Sequence, residues 1–129
     1  MDFVLRARLG TFEPNADVFI DEDAGRVVAI VEIAGADADS LRVGIDERHL
    51  YIGGRRREAV RLRNGSFVQK EIVYGEFSKR IALPVAVEYG DVAASYADGL
   101  LIIALPVATT AYRPTARTDL HILVKRTHS

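Results

Sequence analysis

Apolar and polar residues alternate with a period of two along much of this chain. Leu41, Val43 and Ile45 are separated by Arg42 and Gly44, and Val92, Ala94 and Tyr96 by Ala93 and Ser95. Successive side chains of a β-strand point to opposite faces, so this spacing turns one apolar row to a core and the other row to water. Residues 27–31 and 100–105 are apolar on both faces, and their β-branched content predicts interior strands rather than helix. Turn residues fall where the runs stop: Asp23-Ala24-Gly25, Asp46-Glu47-Arg48 and Asp98-Gly99. Asp-Gly between apolar runs is a strong hairpin signal, because both residues tolerate positive φ. Strands are predicted near 16–21, 26–33, 41–46, 49–53, 67–72, 77–82, 91–97 and 100–105. Short strands at this spacing predict an all-β fold, an antiparallel immunoglobulin-like β-sandwich of about seven to eight strands. The connection between 53 and 77 is too long for a simple hairpin loop, and loops of that length are usually functional or disordered.

The two ends follow other patterns. Residues 1–13 read as a short arm in which Phe3, Val4, Leu5, Leu9 and Phe12 are mixed among arginines. Residues 14–106 carry the sandwich. Residues 107–129 begin as a linker rich in Thr, Ala and Arg, broken by Pro114. The linker leads to a compact apolar patch, Leu120-His121-Ile122-Leu123-Val124, closed by Lys125-Arg126. An isolated apolar patch after such a linker is expected to dock on something.

Composition narrows the picture. The chain has 129 residues, enough for one domain, and a domain of this size buries roughly two-thirds of its unfolded surface without a staple. A net charge of −1 gives no general pull toward nucleic acid or acidic lipid. The absence of cysteine excludes a disulfide framework, thiol catalysis and a cysteine-bound zinc. The longest apolar run, 99–108, contains Pro106 and falls well short of the ~18 residues that cross a bilayer. The N-terminus does not read as a signal peptide, so a soluble, cytoplasmic protein is expected.

Four motifs in register carry a family resemblance. Ala94-Ser95-Tyr96-Ala97-Asp98-Gly99-Leu100-Leu101 resembles the alpha-crystallin signature A-x-x-x-[ND]-G-[VL]-L. The segment from Glu71 through Gly75, Phe77 and Lys79 to Leu83-Pro84 is similar to the family's E-x-x-x-G-x-F-x-R-x-[FI]-x-L-P stretch, with lysine where arginine is usual. Pro14-Asn15-Ala16-Asp17-Val18 matches its P-x-x-D-[VI] opening, and Leu50-Tyr51-Ile52-Gly53-Gly54-Arg55 its L-x-I-x-G-x-R strand end. The chain is thereby identified as a member of the small heat-shock protein family, with an arm shorter than is usual there. The C-terminal I-x-I motif of that family stands here as Leu120-His121-Ile122 or, in a second register, Ile122-Leu123-Val124.

The resemblance implies partners. A homodimer would form by swapping the strand Phe67, Val68, Gln69, Lys70, Glu71, Ile72 onto the partner's first strand beside Val18, Phe19 and Ile20, with Lys79 at the same interface. The motif Leu120, Ile122 and Val124 would dock in a groove lined by Leu41, Val43 and Ile45 opposite Val92, Ala94 and Tyr96, building a higher homo-oligomer. The implied activity is that of an ATP-independent chaperone, a holdase, which keeps partly unfolded client proteins from aggregating. Clients would meet Phe3, Val4, Leu5, Leu9 and Phe12 of the arm. The rival on the same sandwich is a co-chaperone or adaptor that does not oligomerise, and another is a specialised member that stops at the dimer.

Other candidate chemistry weighs little. Arg55, Arg56, Arg57, Arg61 and Arg63 form the one basic cluster, without interleaved aromatics; a solvated loop tip or inter-subunit ion pairs is expected before phosphate binding. His49, His121 and His128 share no ligand spacing, so no metal is expected. No serine sits in a G-x-S-x-G elbow, and Gly53-Gly54 lacks the lysine of a phosphate loop. Asp21, Glu22 and Asp23 are ordinary turn acids. No catalytic residue, cofactor, membrane or nucleic-acid partner is expected.

Overall fold

The computed structural model describes residues 12–60, 63–108, 118–120 and 123–124. In chain order it forms β1 (Asn15–Asp21), β2 (Arg26–Glu32), β3 (Arg42–Ile45), β4 (His49–Arg56), β5 (Gly75–Ala82), β6 (Ala93–Ala97), β7 (Leu100–Pro106), β8 (Thr118–Leu120) and β9 (Leu123–Val124). A 3-10 turn, Ala38–Ser40, precedes β3. One sheet has the order β1-β2-β7-β6-β9 and the other β5-β4-β3-β8. All pairings are antiparallel except β6 with β9. This is a sandwich of seven strands, and the C-terminal tail adds two short ones among the described residues.

Period-two alternation produces the core directly. Val27, Ala29 and Val31 of β2 turn inward beside Leu101, Ile103 and Leu105 of β7, and all six are buried. Val43 and Ile45 of β3, Leu50 and Ile52 of β4, and Phe77 and Ile81 of β5 face them from the second sheet. Each such aliphatic side chain contributes about 1.5–3 kcal/mol relative to exposure. The two-faced runs are central strands of the five-stranded sheet, as their composition predicts. Their second faces, however, are not fully covered: Ile102 remains 37% exposed.

The turns obey local chemistry. Asp98 and Gly99 adopt φ of 54° and 75°, the two successive positive values of a primed hairpin turn. Asp46 closes the β3–β4 turn by accepting from the backbone N–H groups of Arg48 and His49, each at 2.8 Å, and from the Tyr51 hydroxyl at 2.7 Å. Burial pushes its carboxyl up, but these donors outweigh burial and hold it below the usual carboxylate range.

The predicted strand at 67–72 is not a strand within one chain. Residues 66–74 run without ladder partners, and Phe67, Val68 and Ile72 are exposed. A strand exists only by pairing, and no edge of its own subunit receives this one. The connection is also shorter than the sequence predicts. β4 continues to Arg56, which is in register with Gly75, so the loop spans 57–74.

Candidate assembly surfaces

Sheet order leaves β1 as an open edge. It pairs with β2 and, among the described residues, with nothing on its other side. Val18 and Ile20 are in register with Ala29 and Val27, so they belong to the inward row, yet they are 44% and 43% exposed. Phe19 points the other way and is 59% exposed. A long apolar edge strand left unpaired is a template for another strand.

Opposite chemistry sits in the loop. Val68 is fully exposed, and Phe67, Ile72 and Val73 are all more than half exposed. The loop is nevertheless tied at its root. The Lys70 ammonium lies 2.6 Å from a Glu58 carboxylate oxygen and stands 4.9 Å over the Phe67 ring and 4.8 Å over the Tyr74 ring. Gln69 donates to the Glu71 carboxylate. Lys79 lies farther along β5, its ammonium 3.9 Å from Glu13. The segment thus carries β-forming residues and apolar side chains and, among the described residues, no strand partner.

Phe12 is not a free arm residue. Its N–H donates to the Glu76 carbonyl, and its carbonyl accepts from the Ser78 N–H, so it lies as a one-residue extension on the β5 edge. Its ring packs on Phe77, with centroids 5.6 Å apart. The arginine next to Gly54 and Arg55 completes this node, which the sequence did not announce. Arg56 stacks its guanidinium 4.9 Å over the Phe12 ring, and donates to the Val73 carbonyl and to the Ala34 carbonyl at 3.2 Å. One side chain therefore joins the root of the arm, the root of the loop and the end of β2. The motif L-x-I-x-G-x-R marked the neighbourhood but not the role. Phe3, Val4, Leu5 and Leu9 lie outside the described residues.

At the other side of the sandwich, β3 and β6 are the edges of the two sheets, and the tail lies along both. Thr118, Asp119 and Leu120 are in register with Ile45, Gly44 and Val43, and Leu123 and Val124 with Ser95 and Tyr96. The tail thus bridges the two sheets, on the edges of its own chain in this structure. Ile122 lies outside the described residues. Of the expected lining, Val43, Ile45 and Ala94 are buried and Val92 is half-buried. Leu41 sits beyond the β3–β8 ladder, where its Cδ2 packs toward Gly54. The Tyr96 hydroxyl donates to the Ile33 carbonyl at 2.7 Å and accepts from the Ala36 N–H at 3.2 Å, so this end of the groove is pinned to the β2–β3 loop.

Two of the five arginines of the basic cluster lie on a strand, while Arg57 and Arg63 lie in the 57–74 loop. Arg55 and Arg56 end β4, and Arg55 lies 3.0 Å from Asp37, with Arg57 at 4.0 Å. The hydrogen bond from Arg55 holds the Asp37 carboxyl below the usual range. Arg61 lies outside the described residues. His49 stands beside Tyr51 on β4, and His121 and His128 lie outside the described residues. Among the described residues no group of three or more potential ligands clusters, and no helix is long and apolar enough to cross a membrane.

Two mainly antiparallel sheets with an open edge at β1 and a tail laid across β3 and β6 define an alpha-crystallin-type β-sandwich. The model of the Hsp20/alpha crystallin family matches residues 19–122, and the chain belongs to that family, the small heat-shock proteins. It is 34% identical over 93 residues to small heat shock protein C4 of Rickettsia felis, covering 72% of this chain and 56% of that one. The chain therefore spans little more than half the length of that relative. It is 27% identical over 115 residues to an 18 kDa heat shock protein of Clostridium acetobutylicum, covering 86% of this chain and 76% of that protein. Among solved structures, heat shock protein 16.0 from Schizosaccharomyces pombe superposes with a TM-score of 0.72 at 25% identity, over 78% of this chain and 71% of that chain. A small heat-shock protein from Xylella fastidiosa, described as having a distinct high order structure, gives 0.66 at 28% identity, over 83% and 98%. Members of this family are chaperones rather than enzymes.

Proposed function

We propose that this protein is an ATP-independent holdase of the cytoplasm, assembled from homodimers. The observation that carries this reading is the pairing of two unsatisfied features: an open apolar β1 edge and a loop whose Phe67, Val68 and Ile72 are exposed. In the dimer, residues 67–72 of one subunit add to the β1 edge of the other. That supplies main-chain hydrogen bonds and covers the overhanging Val18 and Ile20. Apolar surface uncovered when subunits exchange, together with Phe3, Val4, Leu5 and Leu9 of the arm, then binds partly unfolded clients. Glu71 belongs to the exchanged strand, and Lys79 follows it on β5.

Such binding needs no turnover, so nucleotide and metal have no part in it. Suppression of heat-induced client aggregation, followed by light scattering, is expected to be the same with ATP, without ATP and with a chelator. A requirement for ATP overturns the holdase reading.

Assembly above the dimer follows from the tail. Its ladder on β3 and β6 is short, and the same two edges are presented by every other subunit. A tail that leaves its own edges and takes a neighbour's links two dimers with the same hydrogen bonds. Several such weak links, each helped by a tether that gives local concentrations of about millimolar, close a particle that one link cannot hold. Replacing Leu120 and Ile122 by alanine removes the apolar anchor outside the sandwich core. Native mass is expected to fall to that of the dimer, with the melting temperature of the sandwich unchanged to within about 2 °C. An unchanged particle mass removes the tail from the assembly.

A further inference from the structure

Five side chains form a continuous stack that runs from the sandwich out to the loop. Arg56 stands 4.9 Å over the Phe12 ring and 5.8 Å over the Tyr74 ring. Lys70 stands 4.8 Å over the Tyr74 ring and 4.9 Å over the Phe67 ring. The order is thus Phe12, Arg56, Tyr74, Lys70, Phe67, with each cation shared by two rings. One end is fixed to the sandwich. Phe12 is hydrogen-bonded to Glu76 and Ser78, Arg56 ends β4, and Arg56 Nε donates to the Val73 carbonyl at 3.0 Å. The other end is Phe67, the first residue of the segment assigned above to strand exchange. A segment without ladder partners has no neighbouring strand to keep it straight, yet residues 69–74 run without turn or bend. The side chains that hold them are Phe67, Lys70 and Tyr74, with the Glu58 carboxylate 2.6 Å from the Lys70 ammonium. Val68 and Ile72 take no part in the stack and stay exposed. The segment is therefore held while its apolar docking side chains remain uncovered.

We infer that this stack, with Tyr74 at its centre, is a brace that holds residues 69–72 extended in the free subunit before they meet a partner's β1 edge. Tyr74 is a positioning residue for dimerisation, acting through Lys70. The inference rests on the strand-exchange reading and adds what regulates it. Fixing the backbone of an unpaired segment costs conformational entropy at every residue. A brace made within one subunit meets that cost before the encounter, so less ordering is left for association. Its loss lowers the fraction of free subunits able to dock, and the apparent affinity falls by that fraction. Dissociation starts from the paired strand, whose ladder and apolar contacts are unchanged, so its rate stays the same. Tyr74 lies outside 67–72, so replacing it leaves the exchanged strand itself intact. Cations are held by the face of the ring and not by the hydroxyl, so phenylalanine serves at this position and leucine does not.

The test compares Tyr74→Leu with Tyr74→Phe in the full-length chain. Sedimentation equilibrium gives the dimer dissociation constant, and exchange between labelled subunits gives the dissociation rate. Tyr74→Leu removes two cation–aromatic contacts and is expected to weaken the dimer about tenfold. Its dissociation rate should stay within about twofold of the wild type, and Tyr74→Phe should match the wild type in both. Weakening carried by faster dissociation, or an equal loss in Tyr74→Phe, overturns the brace. Nuclear spin relaxation of the full-length chain carrying Val68→Asp and Ile72→Asp reads the brace with no partner present. Backbone order parameters at 69–72 are expected near about 0.85, and to fall below about 0.6 when Tyr74→Leu or Lys70→Met is added. Lys70→Met gives the same readout should Tyr74→Leu fold poorly. Values already below about 0.6 without these changes overturn the brace and leave strand exchange standing. Should the chain with the two aspartates remain a dimer, strand exchange fails, and the brace falls with it.

Discussion

Replacing Val68 and Ile72 together by aspartate is expected to turn the dimer into a monomer while leaving the monomer's fold intact. Both side chains are exposed in the single chain, at 102% and 59%, so their replacement removes little packing within the subunit. Surface changes of this kind usually alter folding stability by no more than about 0.5 kcal/mol. Both would lie on one face of the exchanged strand, because they are separated by an even number of positions. The exchange occurs twice in a symmetric dimer, so four such side chains are buried, contributing about 6–12 kcal/mol. Losing that raises the dimer dissociation constant by at least about 10⁴-fold. Sedimentation equilibrium measures the change. Thermal unfolding is compared at concentrations where both proteins are monomeric, so that dimer linkage does not enter. A variant that stays dimeric at the wild-type affinity removes residues 67–72 from the interface.

Gly54→Val is expected to be the most damaging single change outside the central strands, and to act on the arm as well as on stability. Gly54 faces Phe77 across the β4–β5 ladder. A Cβ at this position would lie 2.5 Å from Phe77 Cζ and 3.1 Å from Leu41 Cδ2, so the Phe77 ring must move. The ring is 2% exposed, with Phe12 on one side, and has little room to go. Overpacking of this kind costs about 3 kcal/mol, which lowers the melting temperature by roughly 10 °C for a domain of this size. Because Phe12 rests on Phe77, the hydrogen bonds of Phe12 to Glu76 and Ser78 should open too. Amide exchange at Phe12 and Ser78 is expected to accelerate more than exchange at Ile103 in the central strand. Loss of protection spread evenly over the sandwich would mean that the node is not a separate anchor.

What was legible in the sequence is what a single strand's own pattern decides. Alternation in 41–46 and the two-faced runs at 27–31 and 100–105 follow from burial, and Asp98-Gly99 fixes its turn through φ alone. What was not legible depends on partners. Residues 67–72 have the composition of a strand, but a strand forms only by pairing, and within one subunit this segment lies on no edge. Phe12 reads as an exposed arm residue because nothing in its neighbours' sequence announces Phe77, 65 positions away. Arg56 reads as one arginine in a charged run; its stacking on Phe12 and its bonds to Val73 and Ala34 exist only once three distant segments meet. The tail reads in the sequence as one apolar patch, whereas its two short strands, one on each sheet, follow only from where the β3 and β6 edges lie.

The central claim is that the β1 edge is filled by residues 67–72 of a second subunit, and amide hydrogen exchange tests it most directly. Measured over a range of protein concentrations, the amides of residues 67–72 and those along the open edge of β1 should be protected together in the dimer. Both should lose protection together as dilution yields monomer. Exchange of 67–72 at the rate of an unpaired segment, in protein that sedimentation shows to be dimeric, would contradict the account.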